Sequence, residues 1–300
     1  MSVCESNDTT ATEEKQAVRG TMNKEQILYE DDDIIVCHKP AGIATQTAKI
    51  GQRDMVSEIA NYLAGHNTVN PSDTSRANAC VGESNSGAVR CSNIYVGIVH
   101  RLDQPVEGIL VFGKNQKAAN NLSRQIVENR MEKYYYAVVS ERELSVKPEQ
   151  EGARRKTLTD YLLKDNKSNT SSVVSPDTKG AKRAVLEYEV LDKRPLESEN
   201  FPEKPLCGEG AQSIQSIALV RIKLLTGRHH QIRVQMSHAG MGLLGDYKYA
   251  DEQTKKLSDS LQQKQIALCA YRLEFVHPAT GKRLSFQRNP EEGIFQNFSI

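Results

Sequence analysis

The sequence predicts an α+β fold built on a mixed or antiparallel β-sheet, with flanking helices and long loops. Stretches rich in β-branched and aromatic residues outnumber stretches with helical periodicity. In the second half of the chain the strand-like stretches follow one another directly, which favours a mixed or antiparallel sheet over a purely parallel one. No internal repeat is evident, and 300 residues are enough for one large domain or two modest ones.

The first half of the chain combines short strands with two helices. An acidic cluster leads into the β-rich residues 34–36, and residues 38–42 form a predicted turn because proline and glycine fix a sharp change of direction. Apolar residues at helical spacing predict a helix over residues 54–64, and a run rich in serine, asparagine and glycine predicts a long surface loop over residues 65–92. A short apolar run predicts a strand over residues 109–112.

A second helix and most of the strands follow. Asn115 is a suitable N-cap for a helix whose apolar face holds Ala118, Leu122 and Ile126. Residues 140–182 are read as a long connection with a polar, hairpin-like end, and a short helix is predicted over residues 228–238 with Gly240 as its stop. Strands are predicted over residues 134–139, 185–190, 218–224, 268–275 and 284–287.

Composition indicates a soluble, cytoplasmic protein. Hydrophobic residues make up 38% and charged residues 26% of the chain, and no apolar run approaches the length of a membrane span. Residues 1–25 are polar and acidic, so we expect a disordered tail there and no secretory signal. The six cysteines are scattered without a CxxC pattern, which favours reduced thiols over a disulfide scaffold or a zinc site.

The charge becomes informative when the chain is divided. Residues 1–33 hold nine acidic and three basic residues, so the remainder carries a surplus of seven positive charges. That surplus permits a polyanionic partner but is milder than that of a dedicated phosphate-backbone binder.

The first candidate for chemistry is Asp103, which follows His100 and Arg101 in a polar turn ahead of the strand at 109–112. A carboxylate at the mouth of a sheet is a typical position for a reactive group. The residues alone leave a structural alternative open, in which Asp103 closes an Asx-turn onto the backbone of Val106 or its neighbours. Arg101, taken alone, fits an ordinary surface arginine.

A second cluster is the tyrosine run that follows Lys133. Strand alternation places Tyr135 on the face of the sheet opposite Tyr134 and Tyr136. One face of this strand therefore belongs to the core and the other to a sheet surface or a cleft. The alternative is a tyrosine that simply fills a core with its hydroxyl satisfied.

The third cluster surrounds the predicted start of the helix at 228–238, where Arg228, His229, His230, Gln231 and Arg233 lie close together. Arginines at a helix N-terminus favour a phosphate or carboxylate pocket, and a solvated helix face with surface ion pairs is the alternative. A metal site is disfavoured because adjacent histidines do not share a helix face.

Other motifs add little by themselves. Gly245 and Asp246 fit a structural turn. No GxGxxG, GxxxxGK[ST], GxSxG or HExxH pattern occurs, which argues against the commonest nucleotide-dependent, serine-hydrolase and zincin sites.

Taken together, these clusters resemble the RluA-type family of RNA pseudouridine synthases. The resemblance covers about residues 26–288. Its motifs, in chain order, are residues 27–42 (ILYEDDDIIVCHKPAG), 100–103 (HRLD) with 108–111 (GILV), 133–137 (KYYYA), 226–233 (TGRHHQIR) with 245–246 (GD), and 273–281 (LEFVHPATG).

The resemblance implies a pseudouridine-synthase-like fold and the isomerisation of uridine in structured RNA, with no cofactor and no metal. Carried over by position, Asp103 is the expected catalytic carboxylate, Tyr135 the ring that stacks on uracil, and Arg233 the partner of Asp103. Arg101 is expected to fill the gap left by a flipped-out nucleotide. A bidentate Arg233 would lower the pKa of Asp103 against the effect of burial.

Further RNA contacts are expected at His100, Lys133 and Arg228. The implied partner is ribosomal or transfer RNA, bound by a monomer without a membrane. We expect one catalytic domain over residues 26–300 and no separate S4-like domain.

Two departures and two alternatives accompany the resemblance. Residues 104–107 (QPVE) replace the Thr-Ser that usually precedes the glycine, and Gln235 replaces a common histidine. A catalytically idle RNA-binding protein with the same fold is the first alternative. A glycoside or nucleoside hydrolase is the second, and it requires a further carboxylate for which Glu107 is the near candidate.

Overall fold

The structure is a computed structural model that describes residues 22–47, 49, 51–66, 94–142, 155–196 and 214–300. Most of the expected tail over residues 1–25 and nearly all of the loop expected over residues 65–92 lie outside the described residues. Within the described ranges, no helix is both long and apolar enough to cross a membrane.

The described chain contains eleven strands and four α-helices. The strands are β1 (Ile27–Glu30), β2 (Ile34–Lys39), β3 (Gly97–Ile98), β4 (Glu107–Gly113), β5 (Glu132–Arg142), β6 (Lys156–Asp165), β7 (Thr170–Val173), β8 (Lys182–Pro195), β9 (Ile214–Leu224), β10 (Leu268–Val276) and β11 (Arg283–Gln287). The helices are α1 (Met55–His66), α2 (Gln116–Val127), α3 (Gln231–His238) and α4 (Glu252–Ser260). Two short 3₁₀ helices span Lys24–Gln26 and Gly293–Asn297.

All eleven strands belong to one mixed sheet. Its main path runs β1-β2-β4-β10-β5-β9-β8-β6-β7, with β11 paired to β10 and β3 paired to β4. β4 and β10 pair in parallel near the middle of this path, and the other pairings between these strands are antiparallel. The predicted α+β fold with a mixed sheet is confirmed.

The sheet is built from strands that bury both faces near its centre. On β5, Tyr135 joins one apolar cluster with Ile222 of β9, and Tyr136 joins a second cluster with Tyr271 of β10. The predicted alternation of the tyrosines along this strand is therefore confirmed. Helix α4 contributes Leu257 to the second cluster and so covers that face.

Most predicted elements are present, and two expectations are wrong. The helix expected over 54–64 corresponds to α1, which begins one residue later and ends two residues later, and the strand expected over 109–112 lies within β4. The Asn115 side chain accepts a hydrogen bond from the backbone N–H of Ala118 as the N-cap of α2. Residues 140–182 are not one long loop, because β6 and β7 form a hairpin there that pairs with β8.

The second correction concerns the helix expected over residues 228–238. α3 begins at Gln231, because His230 adopts a left-handed backbone conformation (φ 53°) and cannot lie within the helix. Arg228 and His229 therefore belong to the turn ahead of α3 and do not lie in its first helical turn.

The parallel contact between β4 and β10 fixes the strand that follows the Asp103 turn. Gly108 pairs with Ala270 and has a φ of 136°. A Cβ at Gly108 would lie 2.5 Å from backbone atoms of Ala270, so only glycine permits this close approach. The sheet thereby fixes the position of β4, the strand that follows the Asp103 turn.

Candidate active site

Asp103 lies in a turn whose hydrogen bonds leave its carboxylate free for another use. The backbone N–H of Val106 donates to the backbone carbonyl of Asp103 at 3.0 Å, so the side chain does not close an Asx-turn there. The buried Thr45 hydroxyl donates to the carbonyl of Leu102 (3.0 Å) and accepts from its N–H (3.1 Å). The backbone on either side of the Asp103 carboxylate is thus fixed by hydrogen bonds that do not involve the carboxylate, and the Asx-turn alternative is excluded.

The unusual Gln104 helps to hold this turn. Fully buried Lys39 donates from Nζ to the carbonyls of Pro40, Ile43 and Gln104 at 2.7–3.1 Å. The Gln104 side chain donates to the carbonyl of Gly42 at 3.0 Å, and the Gly42 N–H donates back to the carbonyl of Gln104 at 2.8 Å. Burial lowers the pKa of Lys39 to about 8. The turn at Gly42 and the turn at Asp103 therefore form one unit.

Arg233 lies between two carboxylates and is shared unequally. Its Nε and Nη2 donate to Oδ2 and Oδ1 of Asp246 at 2.8 and 2.7 Å, whereas Nη1 reaches Oδ2 of Asp103 at 3.4 Å. The expected contact with Asp103 is present, but the bidentate pair is with Asp246. The side chains of Arg233 and Asp246 are only 8% and 1% exposed, so this pair anchors the guanidinium.

Sequence reasoning missed the role of Asp246. The residues alone suggested a structural turn, and its carboxylate does accept the N–H groups of Lys248 and Tyr249 at 3.0 and 3.2 Å. The missed signal was the Gly245-Asp246 pair within the family resemblance. A Cβ on Gly245 would lie 1.9 Å from the carbonyl oxygen of Gln265, so this glycine fixes where Asp246 stands.

His230 is the third group beside Asp103. Its Nε2 lies 3.6 Å from Oδ2 of Asp103, and its Nδ1 lies 2.6 Å from the hydroxyl of Tyr249. Burial, with Arg233 as the next cause, lowers the pKa of His230 to about 3. His230 is therefore neutral around pH 7.

Burial has the largest effect on the pKa of Asp103. The pKa of Asp103 is raised because burial disfavours its charged form, and Arg233 opposes this rise while Asp246 adds to it. Arg233 lowers the pKa of Asp103 against the effect of burial, as expected, but through a single contact and not a bidentate pair, because two of its three hydrogen bonds go to Asp246. The Asp103 side chain remains 28% exposed to the cleft.

Tyr135 and Lys133 lie on the same face of β5. Tyr135 is 6% exposed and lines the same cleft as Asp103, and its pKa is raised by burial and by the charge of Asp103. Burial lowers the pKa of Lys133. His100 accepts the N–H of Val111 at its Nε2 (3.3 Å), and burial lowers the pKa of His100 to about 3.

These residues converge on one open cleft of about 880 Å³. All seven residues singled out in the sequence line it, namely His100, Arg101, Asp103, Lys133, Tyr135, Arg228 and Arg233.

The cleft is strongly basic. Asp103 is the one carboxylate among the described residues that line it. The basic side chains around it are Lys49, Arg101, Lys133, Lys164, Arg228, Arg233 and Lys248. The modest positive surplus of the chain is thus concentrated where a polyanion would bind.

The two rim arginines are held by neighbours. Arg101 is exposed, and its Nη2 donates to Oε1 of Gln46 at 2.9 Å. Arg228 donates from Nε to the carbonyl of Arg183 at 2.9 Å. Both guanidiniums are therefore positioned at the surface of the cleft before any ligand binds.

The histidines and carboxylates of a type that binds metals have hydrogen-bond partners within the protein. His229 contacts Ser171 at Nδ1 (2.9 Å) and Asn169 at Nε2 (3.1 Å). Asp31, Asp33 and His277 form the cluster of suitable ligand atoms within the described chain, and it does not line the cleft. There Asp31 already accepts hydrogen bonds from two backbone N–H groups and Tyr29, and lies 2.6 Å from Nε2 of His277.

Glu107 does not supply a second carboxylate to the cleft. It is absent from the cleft lining, and burial raises its pKa while a hydrogen bond with Cys269 opposes the rise. A hydrolase mechanism requires two carboxylates, and the described residues that line the cleft supply only Asp103.

Comparison with known proteins gives a consistent result. A family model described as RNA pseudouridylate synthase matches residues 33–238. The chain is 27% identical to a tRNA pseudouridine synthase C of Vibrio parahaemolyticus over 91% of this chain and 94% of that protein. It is 29% identical to a ribosomal large subunit pseudouridine synthase D of Zymomonas mobilis over 87% of this chain and 68% of that protein.

The fold is also similar to that of a solved structure. Human RNA pseudouridylate synthase domain containing 1 superposes with a TM-score of 0.58 at 17% sequence identity. The match covers 88% of this chain and 83% of the human chain. At this identity the similarity concerns the fold alone.

Proposed function

Since the chain belongs to the RNA pseudouridylate synthase family, we propose that it isomerises uridine in ribosomal or transfer RNA with Asp103 as the catalytic carboxylate. The N1–C1′ bond of the nucleotide breaks, the uracil turns within the cleft, and C5 then bonds to C1′. The proton on C5 is lost and N1 gains one, so no atom is added to or removed from the RNA. This balance requires no redox partner.

One observation carries the proposal: among the described residues that line the cleft, a single carboxylate stands with seven lysines and arginines. The cations suit the phosphates of RNA, and their attraction to a polyanion is general. A carboxylate in the same place repels phosphates, so a protein that only binds RNA gains nothing from it. Asp103 is better explained as a group that acts on the nucleotide, which favours an enzyme over a catalytically idle binder.

The neighbours of Asp103 support this role. Arg233 holds Oδ2 at 3.4 Å, whereas Oδ1 has no hydrogen-bond partner among the described residues. Oδ1 is therefore the oxygen free to meet the sugar or the base. We assign Tyr135 to the uracil face, because it lines the same cleft as Asp103 and an aromatic face contributes roughly 1–3 kcal/mol of base stacking.

Access to the glycosidic bond in structured RNA requires the nucleotide to leave its stack, at a cost of about a few kcal/mol. Arg101 is exposed at the edge of the cleft, and a guanidinium inserted into the stack offsets part of this cost. We assign His100, Lys133 and Arg228 to further RNA contacts. His100 acts there as a neutral imidazole, since its pKa is about 3.

The wider setting follows from the same proposal. Residues 26–300 act as one catalytic domain of a cytoplasmic monomer, and the reaction uses neither a metal nor another cofactor. The relatives named above act on transfer RNA and on ribosomal RNA. Both RNAs are therefore candidates for the substrate.

The direct experiment removes the gene and maps pseudouridine across total RNA. We expect at least one site to disappear, to return with the wild-type gene, and to stay absent with Asp103→Asn. If deletion removes no site, the proposed function is wrong. If Asp103→Asn restores every lost site, the role of Asp103 is wrong.

A further inference from the structure

His230 lines the cleft beside Asp103, and the proposed reaction gives it no role. Its backbone adopts the left-handed conformation at the N-cap of α3, yet its side chain caps no N–H group of that helix. A non-glycine residue in this conformation is uncommon and strains the backbone. The conformation places the imidazole between Tyr249 and Asp103.

The hydrogen bonds of Tyr249 favour one tautomer of this imidazole. The hydroxyl of Tyr249 accepts the backbone N–H of Ser171 at 2.9 Å, and the same hydroxyl lies 2.6 Å from Nδ1 of His230, the partner that we assign to its proton. Nδ1 is then an acceptor, so the proton of a neutral imidazole resides on Nε2. Ser171 belongs to β7, which links this arrangement to the β6–β7 hairpin.

The charges around His230 favour the neutral form. Arg233 on α3, Lys248 after it and Lys164 on β6 all oppose a positive charge on the imidazole, and so does the neighbouring His229. Among the described residues, Asp103 is the carboxylate within ion-pair distance of it, at 3.6 Å from Nε2. Three cations and burial outweigh that single carboxylate.

We propose that His230 is a positioning residue for Asp103, held by Tyr249 as the tautomer that presents an Nε2–H to Oδ2. Arg233 contacts the same oxygen at 3.4 Å, so both donors converge on Oδ2 and leave Oδ1 to the substrate. A separation of 3.6 Å is longer than a hydrogen bond. Catalytic hydrogen bonds are often long before substrate binds and shorten in the complex, so the contact closes when RNA fills the cleft.

Two substitutions separate this role from a structural one. His230→Asn keeps an acceptor near Nδ1 for Tyr249 and suits the left-handed backbone, but it has no donor near Nε2. His230→Gln places an amide N–H near Nε2 but suits the backbone no better than histidine does. A purely structural role therefore predicts that Asn is tolerated better than Gln, and the positioning role predicts the reverse.

The test is single-turnover pseudouridine formation at saturating enzyme, with RNA affinity measured in parallel. We expect His230→Asn to slow the reaction by about 10- to 100-fold, the range for a lost hydrogen bond to a charged group, with RNA affinity unchanged. His230→Gln is expected to stay within about threefold of the wild type. Wild-type rates for Asn, or equal losses for both variants, would overturn the proposal.

A second measurement does not depend on activity, although the positioning role rests on the proposed function. Side-chain ¹⁵N NMR of the full chain at pH 7 should show His230 neutral, with Nδ1 unprotonated and Nε2 protonated. Tyr249→Phe should abolish this preference. A charged His230, or a proton on Nδ1, refutes the positioning role whatever the substrate is, whereas a wild-type protein without activity on any RNA refutes the proposed function.

Discussion

Replacing Asp246 with asparagine tests whether the buried ion pair with Arg233 anchors the site. The two side chains are 1% and 8% exposed and make two hydrogen bonds of 2.7 and 2.8 Å. Removing one charge of a buried pair typically costs about 3–5 kcal/mol, because the remaining charge is left without compensation. Asparagine preserves an acceptor for the N–H groups of Lys248 and Tyr249, so we expect about 3 kcal/mol of unfolding free energy to be lost.

The assay is chemical denaturation followed at equilibrium, with thermal unfolding beside it. A loss of about 3 kcal/mol corresponds to a fall in Tm of about 5 °C for 300 residues, at an unfolding entropy of about 2.1 cal/mol/K per residue. Asp192→Asn is the matched control, because Asp192 pairs with Arg194 at 3.0 Å through side chains that are 38% and 34% exposed. Such exposed pairs contribute about 0–1 kcal/mol.

The same variant has a consequence for catalysis. The charge of Asp246 raises the pKa of Asp103, so its removal lowers that pKa and leaves Arg233 with one carboxylate. The acid limb of the pH–rate profile, where Asp103 becomes protonated, should therefore move to lower pH. Equal losses of stability in the Asp246 and Asp192 variants would refute the anchoring role, and an acid limb displaced to higher pH would refute the electrostatic reasoning.

Three further predictions concern the turn, the cleft and the buried histidine. Thr45→Val should cost about 1–3 kcal/mol of unfolding free energy, because the N–H and carbonyl of Leu102 both lose their partner, and Thr45→Ser should restore most of it. Lys164→Gln in the cleft should reduce the slope of log affinity for RNA against log salt by about one, whereas Lys156→Gln outside the cleft should leave it unchanged. The pKa of His100 in the folded chain is about 3, below its ordinary 6.5, so the unfolded chain binds more protons and stability falls as pH drops from 6.5 toward 3. His100→Gln should reduce that pH dependence by about one proton, and an unchanged dependence would show that His100 does not titrate as described.

Much of the site was predictable because its residues occur in compact motifs. The Asp103 turn, the tyrosine strand and the segment before α3 each combine a clear backbone signal with polar residues. Periodicity alone could not bring these three segments together, since contacts across the sheet are set by strand order. The family resemblance supplied that step, and the cleft contains every residue that it named.

The missed features have weak local signals. The hairpin of β6 and β7 resembles a polar connection in sequence, because its strands place few side chains in the core. Leu162 is the one buried residue of Lys156–Asp165, so the apolar alternation along β6 is faint. Helix α4 (EQTKKLSDS) likewise has few apolar residues to mark a face. Asp246 pairs with a residue 13 positions away in sequence, and no spacing rule could identify that contact.

The start of α3 shows how a functional position can override a local pattern. Residues 228–238 have helical periodicity, yet the left-handed His230 delays the helix to Gln231. The gain is the contact of its imidazole with Tyr249 and its approach to Asp103. Local rules tend to fail at sites where the backbone is strained for a chemical purpose.

The most direct measurement is single-turnover pseudouridine formation by Asp103→Asn beside RNA affinity. Asparagine keeps the shape of the side chain and removes the one carboxylate that the described part of the chain contributes to the cleft beside seven lysines and arginines. RNA should therefore bind as tightly as to the wild type, or more tightly, while no pseudouridine forms. Pseudouridine formation at the wild-type rate, or a loss of activity explained entirely by weaker RNA binding, would contradict the catalytic role of Asp103.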